Sequence, residues 1–470
     1  MSSLWRWIDH RLGVSSHVVP VLEHRVPRDV NWWYVLGSAT LTAFALQVVT
    51  GVALAFTYVP SPDSAHASLQ FISSEATLGH IVRGIHYWGA SAMVVLIAAH
   101  AVRVFLMGAF KFPRELNWLT GVGLLVLTLG MAFTGQVLRW DQDAYWSTVV
   151  MAAQTARVPV IGDLLSQLVL AGKTVGGTTL TRFYATHVFL MPALIFGLFG
   201  VHLFLVLRHG ISEPPRSGHP VEPDRYEAEY EAEMQRSGVP FWPTAAWRDV
   251  VAAAAVVAVV VGLAAAVGPR VLGAPADPTN LQADPRPDWY FLWLFAILAL
   301  LPANLEDWVI VGLPTVGILV LVLLPIVAPR GERSPARRPW AVASIGVVGL
   351  AIGALIWEGQ QAPWSPVLPP PQLAASTLAG LDGQAAQGAH AFEAHACSAC
   401  HTIDGVGGHR GPDLSDIGAR LTTAEMASRI LNGAGNMPAF ADSLTPEEVN
   451  ALLAFLETRG GSASPSGGGG

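Results

Sequence analysis

Residues 84–103, with the sequence GIHYWGASAMVVLIAAHAVR, decide the fold class of this chain, because they form an apolar run long enough to cross a membrane. The run carries two histidines, His86 and His100, which stand fourteen positions apart. A polar side chain at membrane depth costs free energy and usually has a function. The stretch therefore predicts a membrane helix, and its two histidines are the first candidates for a functional site.

The composition predicts several more helices of this kind. Of the 470 residues, 52% are hydrophobic and only 13% are charged, whereas a soluble domain carries about 25% charged residues. Seven segments offer the roughly 20 apolar residues that span a bilayer core, and these are residues 31–57, 84–107, 116–137, 184–207, 249–271, 308–328 and 340–357. We therefore predict an all-α, polytopic membrane protein. The mild net charge of −7 indicates no nucleic-acid partner.

Lysine and arginine are distributed unevenly between the predicted spans. They concentrate in residues 1–30, near residue 111, in residues 208–248 and near residue 330, which all fall on one side if the seven spans alternate. The opposite loop 58–80 has neither residue type, although the longer opposite loop 138–183 carries four such residues. Cytoplasmic loops are the ones enriched in these cations. We therefore expect a multi-pass protein of the cytoplasmic (inner) membrane, with its N-terminus in the cytoplasm and its C-terminal region on the periplasmic side.

Changes in composition divide the chain into six parts. In order, we predict a four-span domain (1–210), a polar cytoplasmic loop (211–248), a three-span domain (249–357), a stiff Pro-rich linker (358–375), a soluble helical domain (376–458) and a disordered Gly/Ser-rich tail (459–470).

The soluble part carries the sequence CSACH at residues 397–401, which is the attachment signal of a c-type haem. In that motif the thiols of Cys397 and Cys400 bond covalently to the haem, and His401 supplies an axial nitrogen to the iron. These are the only cysteines of the chain, which argues against a disulfide framework and against a cysteine-ligated iron–sulfur cluster. A redox or zinc-binding CxxC is the alternative.

A methionine is the expected sixth ligand of that haem. We favour Met437, in GNMPAF, because a thioether opposite histidine raises the reduction potential, as in electron-carrying cytochromes c. Met426 competes, but it lies in the helix-like stretch TTAEMASRIL, where a role in the core is more natural. The stretch GVGGHRGPDLSDIG between the haem motif and Met437 resembles class I cytochromes c.

The fourth predicted span repeats the histidine pattern, with His187 and His202 fifteen positions apart. On a regular α-helix, fourteen residues turn by about −40° net and fifteen by about +60°, so each pair lies on roughly one face. The second and fourth spans run in the same direction, and the histidines of each are about 21–22 Å apart along the helix. A single histidine on such a helix is more often a core residue whose hydrogen bonds are satisfied within the protein than a metal ligand. The matched set predicts two bis-histidine haems b, one held by His86 and His187 and one by His100 and His202.

Two other spans carry glycines fourteen positions apart, the interval of His86 and His100. They are Gly37 and Gly51 on the first span and Gly121 and Gly135 on the third. Glycine lowers helix stability, but it lets a flat macrocycle approach the backbone. The shared period predicts that these glycines contact the haems, and small-residue helix packing in lipid is the alternative.

Two arginines flank the predicted haem levels. Arg83 stands three residues before His86 and Arg103 three residues after His100, and both are candidates to pair with haem propionates. An interfacial charge is the alternative for either residue.

Residues 1–210 resemble the four-helix, haem-carrying part of cytochrome b from the Rieske/cytochrome b complexes. The stretches GQVLRWDQDAYWSTVV, VPVIGDLL and TLTRFYATH are similar to the chloroplast-type form, as is the fifteen-residue histidine spacing. Residues 249–357 resemble its three-helix partner subunit, and PDWY at 287–290 matches the family's quinol-site motif, usually PEWY. The resemblance covers about three quarters of the chain.

Three positions depart from the family pattern. Chloroplast-type proteins attach an extra haem through a cysteine in the first span, where this chain has Val35, so that haem should be absent. The family's LPW after the third span is LRW here, and Arg139 places a cation beside the outer quinol pocket. The carboxylate of the quinol motif is kept as Asp288, one methylene shorter than the usual glutamate.

The resemblance implies quinol oxidation at the outer face with a split electron path. One electron goes to a separate Rieske iron–sulfur protein and on to haem c, and the other crosses the membrane through the two haems b to a quinone. Asp288 is then the candidate proton acceptor, with Tyr290 and Tyr145 as pocket groups. Without the resemblance, capping of the following helix is the simpler role for Asp288.

The resemblance also implies a set of cofactors and partners. These are two non-covalent haems b, one covalent haem c, a membrane quinol, the Rieske protein, a cytochrome c or other acceptor, and a second copy of the chain in a homodimeric complex.

Two other functions remain open from the sequence. A di-haem membrane anchor and electron conduit for a peripheral dehydrogenase also uses bis-histidine haems, but PDWY and the WDQDAYW loop argue against it. The four placed histidines argue against a membrane-tethered carrier in which only haem c works.

Overall fold

The computed structural model describes residues 3–172, 175–277, 286–301, 303–361, 372–408, 411–433, 437, 440–441 and 443–460. Most of the predicted stiff linker, at 362–371, and most of the predicted disordered tail, at 461–470, lie outside the described residues.

Helices follow one another along the described chain. The first are α1 (Ser3–Leu12), α2 (Val14–Glu23), α3 (Leu36–Ala55), α4 (Ala65–Ser74), α5 (Gly79–Leu106), α6 (Glu115–Val137), α7 (Gln142–Ala156), α8 (Gly162–Leu170), α9 (Gly177–Ala185), α10 (Met191–His209) and α11 (Pro223–Ser237). Then come α12 (Trp247–Ala266), α13 (Leu292–Leu300), α14 (Ala303–Val327), α15 (Pro339–Gln361), α16 (Ala375–Leu378), α17 (Gly383–Ala394), α18 (Ile417–Arg420), α19 (Thr423–Asn432) and α20 (Pro446–Glu457).

Strands are confined to two short antiparallel pairs among the described residues. They are β1 (Arg25–Val26) with β2 (Val239–Pro240), and β3 (Thr402–Ile403) with β4 (Val406–Gly407). The prediction of an all-α fold is confirmed.

Within the described ranges, seven helical segments are long and apolar enough to cross a membrane. They are Leu36–Ala55, Gly79–Leu106, Glu115–Val137, Gly177–His209, Trp247–Ala266, Trp308–Val327 and Pro339–Gln361. Each overlaps one of the seven predicted spans, and their mean hydropathy runs from 1.6 to 2.7. The prediction of a multi-pass membrane protein is therefore confirmed.

Small residues let α5 pack closely between α3 and α12. A Cβ added at Gly84 of α5 would lie 2.9 Å from the Cβ of Ala264 in α12. One added at Gly89 would lie 2.2 Å from the side chain of Gln47 in α3. In lipid, close van der Waals packing of small residues drives helix association. The helix that carries His86 and His100 is thus fixed on two sides.

The fourth span is not one regular α-helix. A π-helical turn at Thr186–Leu190 joins α9 to α10, and in it the N–H of Met191 bonds to the carbonyl of Thr186, five residues earlier. Pro192 follows directly; it has no N–H, and in a regular helix its ring would clash with the carbonyl four residues earlier. The wider turn accommodates this proline. The regular periodicity that we predicted for the span is therefore wrong at this place.

Buried cations tie together the loops at one end of the bundle. Lys111 donates to the carbonyl of Ala328 at 2.8 Å, just past α14, and Arg114 donates to the carbonyl of His209 at 3.0 Å, at the end of α10. The last carbonyls of a helix have no partner within it and attract cations. The β1–β2 pair brings the N-terminal segment to the same end. All four cation-rich segments of the sequence therefore meet there.

The C-terminal helices form a small core of their own. A Cβ added at Gly388 of α17 would lie 1.9 Å from the carbonyl oxygen of Ala451 in α20. The rings of Phe392 and Phe455 meet across the same contact, 5.7 Å apart between centroids. α19 and α20 each begin with a capping box, which satisfies two backbone N–H groups per helix. The CSACH motif follows α17 and lies against this core.

Candidate functional site

α5 and the π-helical turn bring His86 and His187 together. The ring centroids of His86 and His187 lie 6.3 Å apart, and the ring planes are inclined by 78°. A histidine nitrogen binds a metal at about 2 Å and lies about 1 Å from its own ring centroid, so two rings on one metal have centroids about 6 Å apart. The observed separation therefore fits two imidazoles that share one metal ion.

Threonine hydroxyls hold three of the four histidines. In each case the Oγ1 lies within hydrogen-bond distance of Nδ1: Thr50 at 2.9 Å from His86, Thr134 at 3.0 Å from His187, and Thr120 at 2.9 Å from His202. Each hydroxyl donates its one proton to a carbonyl of the preceding turn, as Thr50 does to Leu46 at 2.6 Å. It therefore accepts from the ring. The network assigns the ring proton to Nδ1 and leaves the lone pair of Nε2 for a metal.

The second predicted pair, His100 and His202, is held less completely by hydrogen bonds. Nδ1 of His100 has no hydrogen-bond partner in the part of the chain that the structure describes. No described residue therefore fixes the orientation of this ring through Nδ1.

All four predicted glycines face a histidine ring. A Cβ would lie 2.7 Å from Cε1 of His187 if added at Gly135, 3.2 Å from that of His86 at Gly51, 3.3 Å from that of His100 at Gly37, and 3.6 Å from that of His202 at Gly121. A separation under 3.0 Å forces something to move, and one above 3.4 Å is ordinary contact. A side chain at residue 135 would thus displace its histidine, whereas one at residue 121 would not.

The two flanking arginines have different surroundings. Arg83 donates to the hydroxyl of Ser73 and to the carbonyl of Arg270, each at 2.8 Å. Arg103 stacks on Tyr34, with its Cζ 3.7 Å from the ring centroid. Its side chain is buried, and Nε and Nη2 have no partner among the described residues. An unpaired buried guanidinium calls for an anion, so Arg103 is the stronger candidate for a propionate.

A tight turn gathers the residues of the CSACH motif. The backbone N–H groups of Cys400 and His401 bond to the carbonyl of Cys397 at 3.1 and 2.9 Å, and no disulfide joins the two cysteines. The carbonyl of Pro412 lies 2.8 Å from Nδ1 of His401. A carbonyl can only accept, so the ring proton is on Nδ1 and Nε2 is left for a metal.

A cavity of about 860 Å³ opens in front of this turn. Both cysteines, His401 and both candidate methionines line it. Met426 is 3% exposed and belongs to the buried core, whereas Met437 is partly buried and packs against that core. A Cβ at Gly411 would lie 2.5 Å from Cε1 of His401. The cavity fits a flat cofactor, and the peripheral position of Met437 favours it as the ligand.

Asp288 lies in an ionic cluster at the opposite end of the bundle from the tied loops. Its Oδ1 is 3.4 Å from Nη1 of Arg139 and 3.2 Å from Nη1 of Arg270. Its Oδ2 accepts a hydrogen bond from the hydroxyl of Tyr290 at 3.0 Å, and its N–H donates to Oε1 of Gln136 at 3.0 Å. The side chain makes no capping hydrogen bond to the 3₁₀ turn at Trp289–Phe291. The capping alternative therefore does not describe this carboxylate.

Asp288 and Tyr290 share this cluster, in which the Asp288 side chain is only 13% exposed. Burial, and then the nearby Asp288, raise the pKa of Tyr290 well above its ordinary value. The phenol therefore keeps its proton and remains a donor. Arg139, whose effect the sequence left open, pairs with Asp288 and also lies 3.6 Å from Asp141.

Tyr145 lies on α7 among aromatic rings. Its ring centroid is 6.1 Å from that of Trp140 and 5.4 Å from that of Trp146, both edge-on. It also lines the cavity in front of the CSACH turn. The structure thus brings Asp288 and Tyr290 into hydrogen-bond contact and places Tyr145 in a different setting.

The sequence reasoning missed two groups of residues. The threonines that hold the histidines stand directly before three of the four glycines, as the dipeptides at 50–51, 120–121 and 134–135. That repeated Thr-Gly pair was a usable signal. Arg270 and Asp143, which complete the Asp288 cluster, carried no signal, because they lie 127 positions apart in the chain.

Family comparisons cover most of the chain. The family described as "Cytochrome b/b6/petB" matches residues 21–210, and "Cytochrome b(C-terminal)/b6/petD" matches residues 275–377. The family described as "Cytochrome C oxidase, cbb3-type, subunit III" matches residues 383–456.

Individual relatives agree with these matches. Cytochrome b6 of Rippkaea orientalis is 41% identical over 213 residues, which are 45% of this chain and 96% of that protein. Cytochrome b6 of Synechococcus elongatus is 41% identical over 214 residues, which are 46% of this chain and 100% of that protein. A solved structure described as "Hyperthermophilic respiratory Complex III" aligns with a TM-score of 0.65 and 26% identity, over 76% of this chain and 91% of that chain.

Proposed function

Because this chain belongs to the cytochrome b/b6 family and carries a cytochrome c domain near its C-terminal end, we propose that it is the fused cytochrome b/c subunit of a quinol–cytochrome c reductase. Domains of these families imply haem cofactors and a role in electron transport. We assign residues 1–210 and 249–357 to the two parts of cytochrome b and residues 376–458 to the cytochrome c domain.

The position of Asp288 carries this proposal. Its carboxylate faces two guanidinium groups and Tyr290 instead of capping the turn that follows it. A carboxylate in this position can accept a proton from a quinol hydroxyl. Asp288 is the proton acceptor, and Tyr290 donates to it and orients it. Tyr145 lines the cavity in front of the CSACH turn and takes no part at Asp288 in this proposal.

The chain's histidines, cysteines and one methionine provide three haem sites. We assign the outer haem b to His86 and His187, the inner haem b to His100 and His202, and the covalent haem c to Cys397, Cys400, His401 and Met437. When bound, these haems supply one-electron carriers at three places, so that the two electrons of a quinol can take separate routes. The threonines orient three of the four haem b ligands, the glycines leave room for the macrocycles, and Arg103 offers its unpaired nitrogens to a propionate.

Partners and orientation complete the proposal. A Rieske iron–sulfur protein is a separate chain, because both cysteines here belong to CSACH. The loops that Lys111 and Arg114 join face the cytoplasm, where quinone is reduced. The cytochrome c domain lies on the periplasmic side of the inner membrane. A cytochrome c or another acceptor takes electrons from haem c, and the complex is a homodimer.

Asp288→Asn tests the role of the carboxylate, because it keeps size and hydrogen bonding but cannot accept a proton. We expect full haem content and quinol oxidation slowed by about 10²–10⁴-fold. Asp249→Asn is a matched control, since Asp249 is a half-buried carboxylate that pairs with Ser38 at the cytoplasmic end. Steady-state oxidation at saturating acceptor, normalised to haem b, should be slow in Asp288→Asn alone. A rate within about a factor of two of the parent would remove Asp288 from the mechanism.

An activity assay of the same purified complex distinguishes the proposed function from the two alternatives. Quinol–cytochrome c reductase activity that a quinol-site inhibitor abolishes is expected of the proposed enzyme. A membrane anchor for a dehydrogenase, or a carrier that uses haem c alone, would show no inhibitor-sensitive quinol oxidation.

A further inference from the structure

Arg270 bridges two carboxylates at the outer end of the bundle. Its Nη1 is 3.2 Å from Oδ1 of Asp288, and its Nη2 pairs with Oδ2 of Asp143. The side chain of Asp288 is 13% exposed, whereas those of Asp143 and Arg270 are 22% and 29% exposed. The three side chains therefore form a row that leads from the more buried carboxylate to the more accessible one.

Asp143 is fixed in this row from two sides. It lies in the first turn of α7, and its Oδ1 accepts the backbone N–H of Arg286 at 3.1 Å, just before the PDWY segment. The start of α7 is itself held by Asp141, whose Oδ1 accepts the N–H of Ala144 at 2.9 Å. Asp143 thus touches the segments on both sides of the Asp288 cluster, which an isolated surface ion pair would not do.

We propose that Asp143 is the second proton carrier of the outer site, which takes the proton that Asp288 has accepted and releases it to the outer aqueous phase. This inference rests on the proposed function. The O–H bond of the quinol breaks as an O–H bond forms on Asp288. That bond then breaks, and the proton moves through water at the partly exposed Arg270 to Asp143 and on to the bulk solvent.

Arg270 keeps its own proton throughout, because a guanidinium is not deprotonated in proteins. Its part is electrostatic. When Asp288 is neutral, Arg270 pairs with the ionised Asp143, and when the proton has moved to Asp143, Arg270 pairs with the ionised Asp288 again. The cation therefore has a charged partner at each stage, and Asp288 is again available to accept a proton from the next quinol.

Other charged and titratable groups surround this row and remain in place in the test. Among the described residues they are Arg83 and Tyr87 on α5, Arg139 after α6, Asp141 before α7, Arg286 before PDWY, and Tyr290 within it. A change in pH dependence confined to variants of residue 143 is therefore attributable to that carboxylate.

The test compares Asp143→Asn with Asp143→Glu in the purified complex. Asparagine still accepts hydrogen bonds from Arg270 and from the N–H of Arg286 but carries no proton. We expect quinol oxidation to slow by about tenfold, less than the about 10²–10⁴-fold expected at Asp288. Glutamate should restore the rate. Added formate, a small proton carrier, should speed up Asp143→Asn and leave the parent unchanged. Asp63→Asn, at an exposed carboxylate of the loop before α4, is the matched control.

Two results would overturn the inference. One is a parental rate for Asp143→Asn across the pH range. The other is an equal loss in Asp143→Asn and Asp143→Glu that formate does not relieve, which would make Asp143 a structural residue. Asp288→Asn, measured in parallel, keeps the proposed function distinct. If Asp288→Asn is slow and Asp143→Asn is not, only the second carrier fails; if Asp288→Asn is unimpaired, the role of Asp288 fails first.

Discussion

The two histidine levels of the bundle are built alike, since at each a histidine of α5 and a histidine of the fourth span both face a glycine. The levels differ in the hydrogen bonds that the histidines make. At the outer level both rings donate through Nδ1 to a threonine hydroxyl. At the inner level His202 does so, but Nδ1 of His100 has no partner within the described parts of the chain. The difference traces to residue 36, where leucine precedes Gly37 in the place that threonine takes before the other three glycines. One helix position thus changes how a ligand is held without changing where it lies.

This difference has an electronic consequence. A histidine that donates a hydrogen bond through its other nitrogen is a more basic ligand, and a more basic ligand favours the more highly charged, oxidised metal. In the proposed assignment, the outer haem would have two such ligands and the inner haem one. We therefore expect the outer haem to have the lower reduction potential, an order that drives an electron from the outer level to the inner one.

The largest expected effect is the loss of one haem from one level. His202→Ala removes a ligand of the inner haem and should leave the outer haem in place, and His187→Ala should do the reverse. The pyridine haemochrome ratio of haem b to haem c should fall from about two to about one in either variant, and low-temperature visible spectra should identify the level. Loss of the outer haem in His202→Ala would contradict the pairing.

Alanine in place of the glycines that face the histidine rings should lower haem content at one level more than at the other. Gly135→Ala places a Cβ 2.7 Å from the ring of His187 and should displace it, whereas Gly121→Ala places one 3.6 Å from His202 and fits. We expect Gly135→Ala to lose most of the outer haem and Gly121→Ala to keep the inner haem. Haem b content per chain measures both. Equal tolerance at the two positions would mean that the glycines are there for helix packing alone.

Valine in place of the threonines should make a smaller change. Thr50→Val keeps the shape but removes the acceptor of His86, so the outer haem should bind about 10–100-fold more weakly and its potential should rise. Thr134→Val should do less, because Nδ1 of His187 also lies 3.1 Å from the carbonyl of Met131. Redox titration of the outer haem in the two variants tests this order, and a larger shift in Thr134→Val would reverse it.

Leu36→Thr is the smallest and most specific change. It adds a hydroxyl before Gly37 at the helix position that Thr50 takes before Gly51, and it gives His100 the acceptor that the ring lacks. The potential of the inner haem should fall toward that of the outer haem, with no change in haem content. Leu36→Val, which fills similar space without a hydroxyl, is the control. An equal shift in both variants would attribute the effect to packing.

Helix periodicity explains why the sequence located the histidines and glycines. Residues fourteen apart must share a face on any regular α-helix, so the levels of His86 and His100 follow from counting. The confirmed helical class and the seven spans follow from hydropathy in the same way. Local spacing of this kind is independent of how the rest of the chain folds.

The ionic cluster around Asp288 could not be predicted from spacing along the chain. Asp288 meets Arg139, Arg270 and Gln136 only because the end of α6 and the segments after α12 and before α13 converge at one end of the bundle. Neither the partners of Arg139 nor the bridging position of Arg270 is encoded in a short motif. The choice between a capping and a non-capping Asp288 likewise depended on side-chain direction, which the dipeptide Pro-Asp leaves open.

The wide turn at Thr186–Leu190 bears on how relatives of this chain should be aligned. Fourteen residues separate the histidines of α5 and fifteen separate those of the fourth span, and the turn's backbone bond reaches five residues back. Without that one extra residue both intervals equal fourteen and turn by the same net angle of about −40°. A one-residue insertion or deletion between the two histidines can therefore be absorbed by a single turn. In an alignment, such a gap marks a change of local helix geometry, and the ligands on either side of it remain equivalent.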